Sequence, residues 1–130
     1  MLVEIAISNL GVISHASAEL SPGLTVLTGE TGAGKTMVVT GLRLLTGGRA
    51  DASRVRTGSD GAVVEGAFSI GGLPEDAVGD VRDIATAAGV DADENGEYLV
   101  SRSVKASGRS SAHLGGRRVP AATLGAVSYT

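Results

Sequence analysis

The residues with the most distinctive chemistry are Gly29-Glu30-Thr31-Gly32-Ala33-Gly34-Lys35-Thr36, which satisfy the pattern G-x-x-x-x-G-K-[S/T]. Glycines let a backbone curl until successive N–H groups converge on phosphate oxygens. The lysine after the last glycine reaches the outer phosphates of a nucleotide, and the hydroxyl after it can hold Mg²⁺. A Gly-rich turn that merely caps a helix shares the glycines but has no need of the ordered Lys-Thr pair. We therefore read Gly29, Glu30, Thr31, Gly32, Ala33, Gly34, Lys35 and Thr36 as a phosphate-binding loop, with Thr36 as the metal ligand.

Such a loop works only between a strand and a helix. Leu24–Thr28 is a short apolar β-rich run. Lys35–Thr46 places Val38, Val39, Leu42 and Leu45 at helical spacing, and Gly47-Gly48 ends it as a C-terminal cap. Upstream, Leu2–Ser8 alternates with period 2, Asn9-Leu10-Gly11 supplies a turn, and Val12–Leu20 predicts a second strand before the turn Ser21-Pro22-Gly23. Downstream, Ala62–Ile70 predicts a strand and Glu75–Ala88 a short amphipathic helix closed by Gly89. Asp91–Gly96 reads as a polar turn, and Tyr98–Val104 with Ser111–Leu114 as a hairpin pair. Gly115-Gly116 turns the chain again, and Pro120 opens a final helix at its first position.

The chain has 130 residues, one domain's worth, with 20 glycines and no cysteine. Disulfide scaffolds and thiolate metal sites are thereby excluded. Phe68, Tyr98 and Tyr129 are the only aromatics, so the core must be aliphatic. No apolar run approaches the ~20 residues of a membrane helix, and the first residues lack a signal-peptide pattern, so a cytoplasmic protein with no membrane partner is expected. Net charge is −3, but residues 97–130 set Glu97 against Arg102, Lys105, Arg109, Arg117 and Arg118, a local balance of +4. Basic clusters attract phosphate backbones. Without interleaved aromatics this one offers no base-stacking surface. His15 and His113 stand alone, with no partner at catalytic spacing.

The flanks of the loop carry a family resemblance. Leu2-Val3-Glu4-Ile5-Ala6-Ile7-Ser8-Asn9-Leu10 resembles the opening of SMC-like ATPases of the ABC class, with Leu10 where Phe is usual. Gly23–Thr36, the helix end Leu42-Arg43-Leu44-Leu45-Thr46-Gly47-Gly48-Arg49-Ala50-Asp51, and Gly108-Arg109-Ser110-Ser111-Ala112-His113-Leu114-Gly115-Gly116-Arg117 resemble RecN-type DNA repair ATPases, in the right order and spacing. Thr36 replaces the family's Ser and keeps the hydroxyl. Gly41 replaces an Ala within the helix, at about 1 kcal/mol in propensity. Gly115 replaces a hairpin Asn.

The resemblance implies an α/β fold: a P-loop NTPase of ABC/SMC-head type, N-terminal lobe only, with an antiparallel β subdomain. Residues 1–130 would be the N-terminal part of the head, with the P-loop at 29–36 and a β-hairpin region at 97–119. It implies ATP and Mg²⁺ as ligands and a role in DNA double-strand break repair and recombination. It also implies nucleoid association, a C-terminal head segment, a second head in a homodimer, and DNA engaged by the full-length assembly. Asn9 and Arg49–Asp51 would neighbour the base or ribose. Another SMC- or RecF-like ATPase and a small P-loop kinase are the alternatives.

Hydrolysis in the ABC class also needs a Q-loop Gln, a signature motif and a Walker B strand ending in Asp-Glu. The sequence has no Gln. Leu45-Thr46-Gly47-Gly48 imitates a signature motif but ends the loop's own helix, and Gly89-Val90-Asp91-Ala92-Asp93-Glu94 imitates Walker B without its apolar strand. The coiled coil and C-terminal lobe are expected to be absent, so that the strand Leu24–Thr28 lacks a neighbour and the chain alone does not hydrolyse ATP.

Overall fold

The structure is a computed structural model that describes residues 2–21, 24–29, 33–70, 74–94 and 96–128; the side chains of 20–29, 33–37 and 128 lie outside the description. Period-2 alternation in the first third of the chain becomes three strands, β1 (Leu2–Leu10), β2 (Ile13–Ser21) and β3 (Leu24–Gly29). The loop's helix, α1, spans Ala33–Leu45. A one-turn 3-10 segment at Ala52–Arg54 leads to β4 (Gly61–Ser69), then α2 (Glu75–Ala87). β5 (Glu97–Lys105), β6 (Ser110–Leu114), β7 (Arg117–Val119) and α3 (Ala121–Ser128) complete the order.

All seven strands form one antiparallel sheet in the order β3-β2-β1-β4-β5-β6-β7. Register stacks the buried residues in rows. One row runs Ala18, Ile5, Gly66, Val100, Leu114; the next runs Ala16, Ile7, Val64, Arg102, Ala112, Val119. α1 lies against β1, β2, β4 and β5, while α3 packs on β6 and on α2. Leu45 and Leu124 are fully buried where the helices meet this face, and each such side chain contributes about 1.5–3 kcal/mol. Gly66 makes room for Leu45: a Cβ there would stand 2.8 Å from the Leu45 Cδ1. The opposite face of the sheet presents small and polar residues, among them Glu4, Ser8, Glu65, Ser101 and Ser103.

Several expectations shift. β1 runs through Asn9 to Leu10, and the turn sits at Gly11-Val12, which leaves Val12 69% exposed. The tight pairing of Leu10 with Ile13 leaves only two residues to turn, so Val12 belongs to the loop and not to β2. α1 starts at Ala33, inside the Gly-rich loop. Val39 faces solvent; Val38, Gly41, Leu42 and Leu45 form the inward stripe at i, i+3, i+4 and i+7. In the 97–119 region the expected pair, β5 and β6, is joined after Gly115-Gly116 by a third strand, β7, to make a three-stranded meander. Pro120 precedes α3, whose first residue is Ala121. Arg102, counted with the basic surface, is buried.

β3 ends the sheet, paired with β2 alone among the described residues. An all-antiparallel sheet with the loop's strand at its edge differs from the parallel, doubly wound sheet in which a helix crosses back to a neighbouring strand. That connectivity weakens the kinase alternative. Among the described residues, no helix is long and apolar enough to cross a membrane.

Candidate functional site

β3 delivers the chain at Gly29, and α1 resumes it at Ala33. Glu30, Thr31 and Gly32 lie outside the described residues. Ala33, Gly34, Lys35 and Thr36 make up the first turn of α1. The first four N–H groups of a helix have no intrahelical acceptor, and here those are the amides of 33–36. No acidic residue stands in that turn, so the positive end of the helix dipole is not offset within it. By contrast, α2 opens on Glu75 and Asp76. Orphan amides, a lysine and a hydroxyl in one turn make a donor set that suits a polyphosphate with its metal ion.

The far end of α1 is fixed by caps. Gly47, at φ +89°, donates to the Leu44 carbonyl (3.2 Å), and the Gly48 N–H donates to the Arg43 carbonyl (2.7 Å). This is the Schellman arrangement that a glycine in the left-handed region permits. Leu45-Thr46-Gly47-Gly48 is therefore a helix cap. Gly89, at φ +77°, caps α2 in the same way, and residues 90–93 are not in a strand.

Arg102 completes this end of the helix. It is 3% exposed, and its Nη1 donates to the carbonyls of Leu44 (3.0 Å) and Gly48 (2.9 Å). Its Nε is buried without a partner. Burial pushes the guanidinium below its ordinary value, yet two carbonyl acceptors at a helix C-terminus favour the cation. Arg102 thus ties β5 to the helix that begins within the Gly-rich loop. Sequence reasoning missed it, although a signal was present: Tyr98, Val100, Arg102 and Val104 share one phase of the β5 alternation.

A cleft of about 560 Å³ lies beside the second half of α1. Its walls include Thr40, Arg43, Arg49, Asp51 and Arg54. Lys35 precedes Arg43 by eight residues, about 12 Å along the helix axis. Asp51 caps the 3-10 turn by accepting from the Ser53 hydroxyl (2.6 Å) and the Ser53 N–H (3.0 Å). Those two bonds, then the Arg54 and Arg49 charges, hold its carboxyl below the usual range. The segment is pinned to the end of β1: the Gly11 N–H donates to the Arg54 carbonyl (2.6 Å), and the Arg56 N–H donates to the Asn9 carbonyl (2.8 Å). The end of β1, with Asn9 at φ +57°, thus adjoins residues 54–56, and Leu10 lines the same cleft as Arg49, Ala50 and Asp51. His15 (β2) is exposed and His113 (β6) half-buried. Among the described residues, no group of three His, Asp or Glu could hold a metal ion.

The model of the AAA domain family matches residues 4–114. The chain is 57% identical over 128 residues to the DNA repair protein RecN of Mycobacterium leprae, which covers 98% of this chain and 22% of that protein. It is 58% identical over 118 residues to the DNA repair protein RecN of Streptomyces coelicolor, covering 91% and 20%. It thus spans about a fifth of the length of these relatives. The Smc head domain of Pyrococcus yayanosii, solved with a coiled coil and joint, superposes with a TM-score of 0.67 at 18% identity, over 98% of this chain and 25% of that one. What the two share is the fold, a mixed α/β lobe of SMC-head type.

Proposed function

The chain belongs to the AAA domain family, and we propose that it is the nucleotide-binding N-terminal lobe of a RecN-like head that acts in DNA double-strand break repair and recombination. The observation that carries this reading is the placement of G-x-x-x-x-G-K-T across the junction where β3 ends and α1 begins. The amides of residues 33–36, with Gly29 to Gly32, receive the phosphates of ATP. Lys35 supplies positive charge to the outer phosphates, and the Thr36 hydroxyl is the chain's own ligand to Mg²⁺. When bound, the metal ion neutralises phosphate charge. Asn9 and Arg49–Asp51 flank the base or ribose, and among the described residues both aromatics, Phe68 and Tyr98, are buried, so affinity depends on the phosphates.

Turnover needs a group that orients the attacking water, and we assign none within this chain. We propose that this group comes from a C-terminal head segment and a second head, and that the assembled protein, cytoplasmic and nucleoid-associated, engages DNA. Isothermal calorimetry with Mg-ATP tests the core of the reading. Binding by the parent chain and none by a folded Lys35→Ala variant is expected. Equal affinity in the two would overturn it.

A further inference from the structure

Arg102 is the one charged side chain that the fold buries among the described residues, and its bonding is incomplete. Nη1 is committed to the Leu44 and Gly48 carbonyls, and Nε is buried with no acceptor. The N–H groups of Nε and Nη2 form one edge of a guanidinium, which can hold two oxygens of one oxyanion side by side. Arg102 also lines a cleft of about 400 Å³ with Ser110, Ala112, Val119, Pro120 and Ala121. Arg102, Ala112 and Val119 form one row of the sheet, on the face that the helices cover, and Ser110, paired with Val104, shares that face. Ser111 and Arg118 border the cleft too but alternate to the opposite face. Among the described residues no carboxylate lines it.

The start of α3 forms the far wall. The Thr123 N–H donates to the Pro120 carbonyl (2.9 Å), but the N–H groups of Ala121 and Ala122 have no intrahelical acceptor. Pro120 carries no side-chain acceptor to cap them, and no acidic residue stands in the first turn. We infer that this cleft binds one phosphate-type oxyanion, held between the Nε–Nη2 edge of Arg102, the amides of Ala121 and Ala122 and the Ser110 hydroxyl. A buried cation with a free edge and an uncapped helix start both favour negative charge. Their donors come from β5, β6 and α3, from different directions. A tetrahedral phosphate has acceptors on every side to meet them, whereas a planar carboxylate spends both oxygens on the guanidinium fork. The cleft leaves room beyond the phosphate, so it admits the free ion or the head of a small phosphomonoester. A rigid duplex cannot follow Arg102, 3% exposed, onto the helix-covered face. The site lies on other elements than the Gly-rich loop and stands whether or not that loop binds nucleotide.

NMR of the ¹⁵N-labelled full chain, titrated with inorganic phosphate at fixed pH and ionic strength, tests it. The Arg102 Nε–H and the amides of Ala121 and Ala122 should shift together and saturate, in the parent and in Lys35→Ala alike. Acetate, with fewer acceptors, should need about tenfold more ligand. Tighter binding of glycerol 3-phosphate than of phosphate would identify a phosphomonoester as the occupant, and weaker binding the free ion; either supports the site. Arg102→Met should abolish the shifts of Ala121 and Ala122. Ala122→Asp, at an exposed position, puts a carboxylate at the helix start without touching the core and should weaken phosphate binding about tenfold. Arg82→Gln, which makes the same change in net charge at an exposed position of α2, should leave it unchanged. An unmoved Arg102 Nε–H, equal potency of acetate and phosphate, or equal weakening by Ala122→Asp and Arg82→Gln would each overturn the site. Shifts confined to residues 33–36 and lost in Lys35→Ala would overturn it while leaving the nucleotide reading intact.

Discussion

Replacing Arg102 with methionine removes the guanidinium that joins β5 to the C-terminus of α1 while keeping a side chain of comparable length in an aliphatic surrounding. Two opposing effects follow. The variant recovers the desolvation cost of a buried cation that has no carboxylate partner and leaves its Nε unbonded, which is why a buried charge is often neutral to replace with an apolar group. Against this, the carbonyls of Leu44 and Gly48 lose a charged donor at 3.0 and 2.9 Å. Leu44 keeps a weaker bond from the Gly47 N–H at 3.2 Å, and the Gly48 carbonyl is close enough to the surface to take water. Exchanging two charge-assisted bonds for these weaker ones costs about 1.5–3 kcal/mol, and loss of a cation at a helix C-terminus adds about 0.3–1 kcal/mol. We expect a net destabilisation of about 2 kcal/mol, equivalent to a fall in Tm of about 7 °C for a chain of this length. Urea unfolding of parent and variant measures it, with an unchanged slope confirming that the same surface is exposed. Arg102→Lys, which keeps charge but not the forked donor, should fall between the two. An Arg102→Met variant as stable as the parent would refute the weighing, and show that desolvation outweighs both hydrogen bonds.

Gly41 faces the Ile7 and Ile5 Cδ1 atoms, which a Cβ would meet at 3.1 and 3.2 Å; because these are flexible tips, Gly41→Ala should gain up to about 1 kcal/mol of helix propensity, whereas Gly41→Leu should lose about 1–3 kcal/mol to overpacking, both read by urea unfolding. The Asp51 carboxyl is held down by Ser53, so it should titrate below the ordinary aspartate range in a carbon-detected NMR titration, and Ser53→Ala should bring it back toward that range. Its bonds favour the ionised form, so their contribution is complete above the unfolded value and is lost as pH falls through the lowered folded one; Asp51→Asn should therefore differ from the parent at neutral pH and converge with it in acid. The purified chain should release phosphate from ATP no faster than Lys35→Ala in a coupled phosphate assay, and a clear excess would revive a self-sufficient enzyme.

The sequence displayed those parts of the fold in which local chemistry and tertiary role coincide. Leu2–Ser8 alternates because one face of β1 is buried, and the strand and helix that flank the Gly-rich loop are legible because a short apolar run and a helical stripe adjoin it. Gly47-Gly48 reads correctly as a cap because a left-handed residue is needed there whatever surrounds it. Legibility fails where packing decides. Val39 is apolar yet exposed, because a helix stripe through Gly41 and Leu45 turns position 39 outward. Arg102 looks like surface charge by residue type, and only its phase with Val100 and Val104 places it inside. β7 is three residues long, too short for any periodicity to announce it. The basic meander was visible only as a charge imbalance, since antiparallel pairing is what brings Arg118 alongside the strand that follows Lys105 and Arg109.

The central claim is that the turn where α1 begins receives the phosphates of ATP, and amide NMR of the labelled chain titrated with Mg-ATP tests it most directly. Saturable shifts should centre on the N–H groups of residues 33–36, spread weakly to Asn9 and Arg49–Asp51, and vanish in Lys35→Ala. Shifts confined to the cleft of Arg43, Arg49 and Arg54, with residues 33–36 unmoved at saturation, would contradict the account.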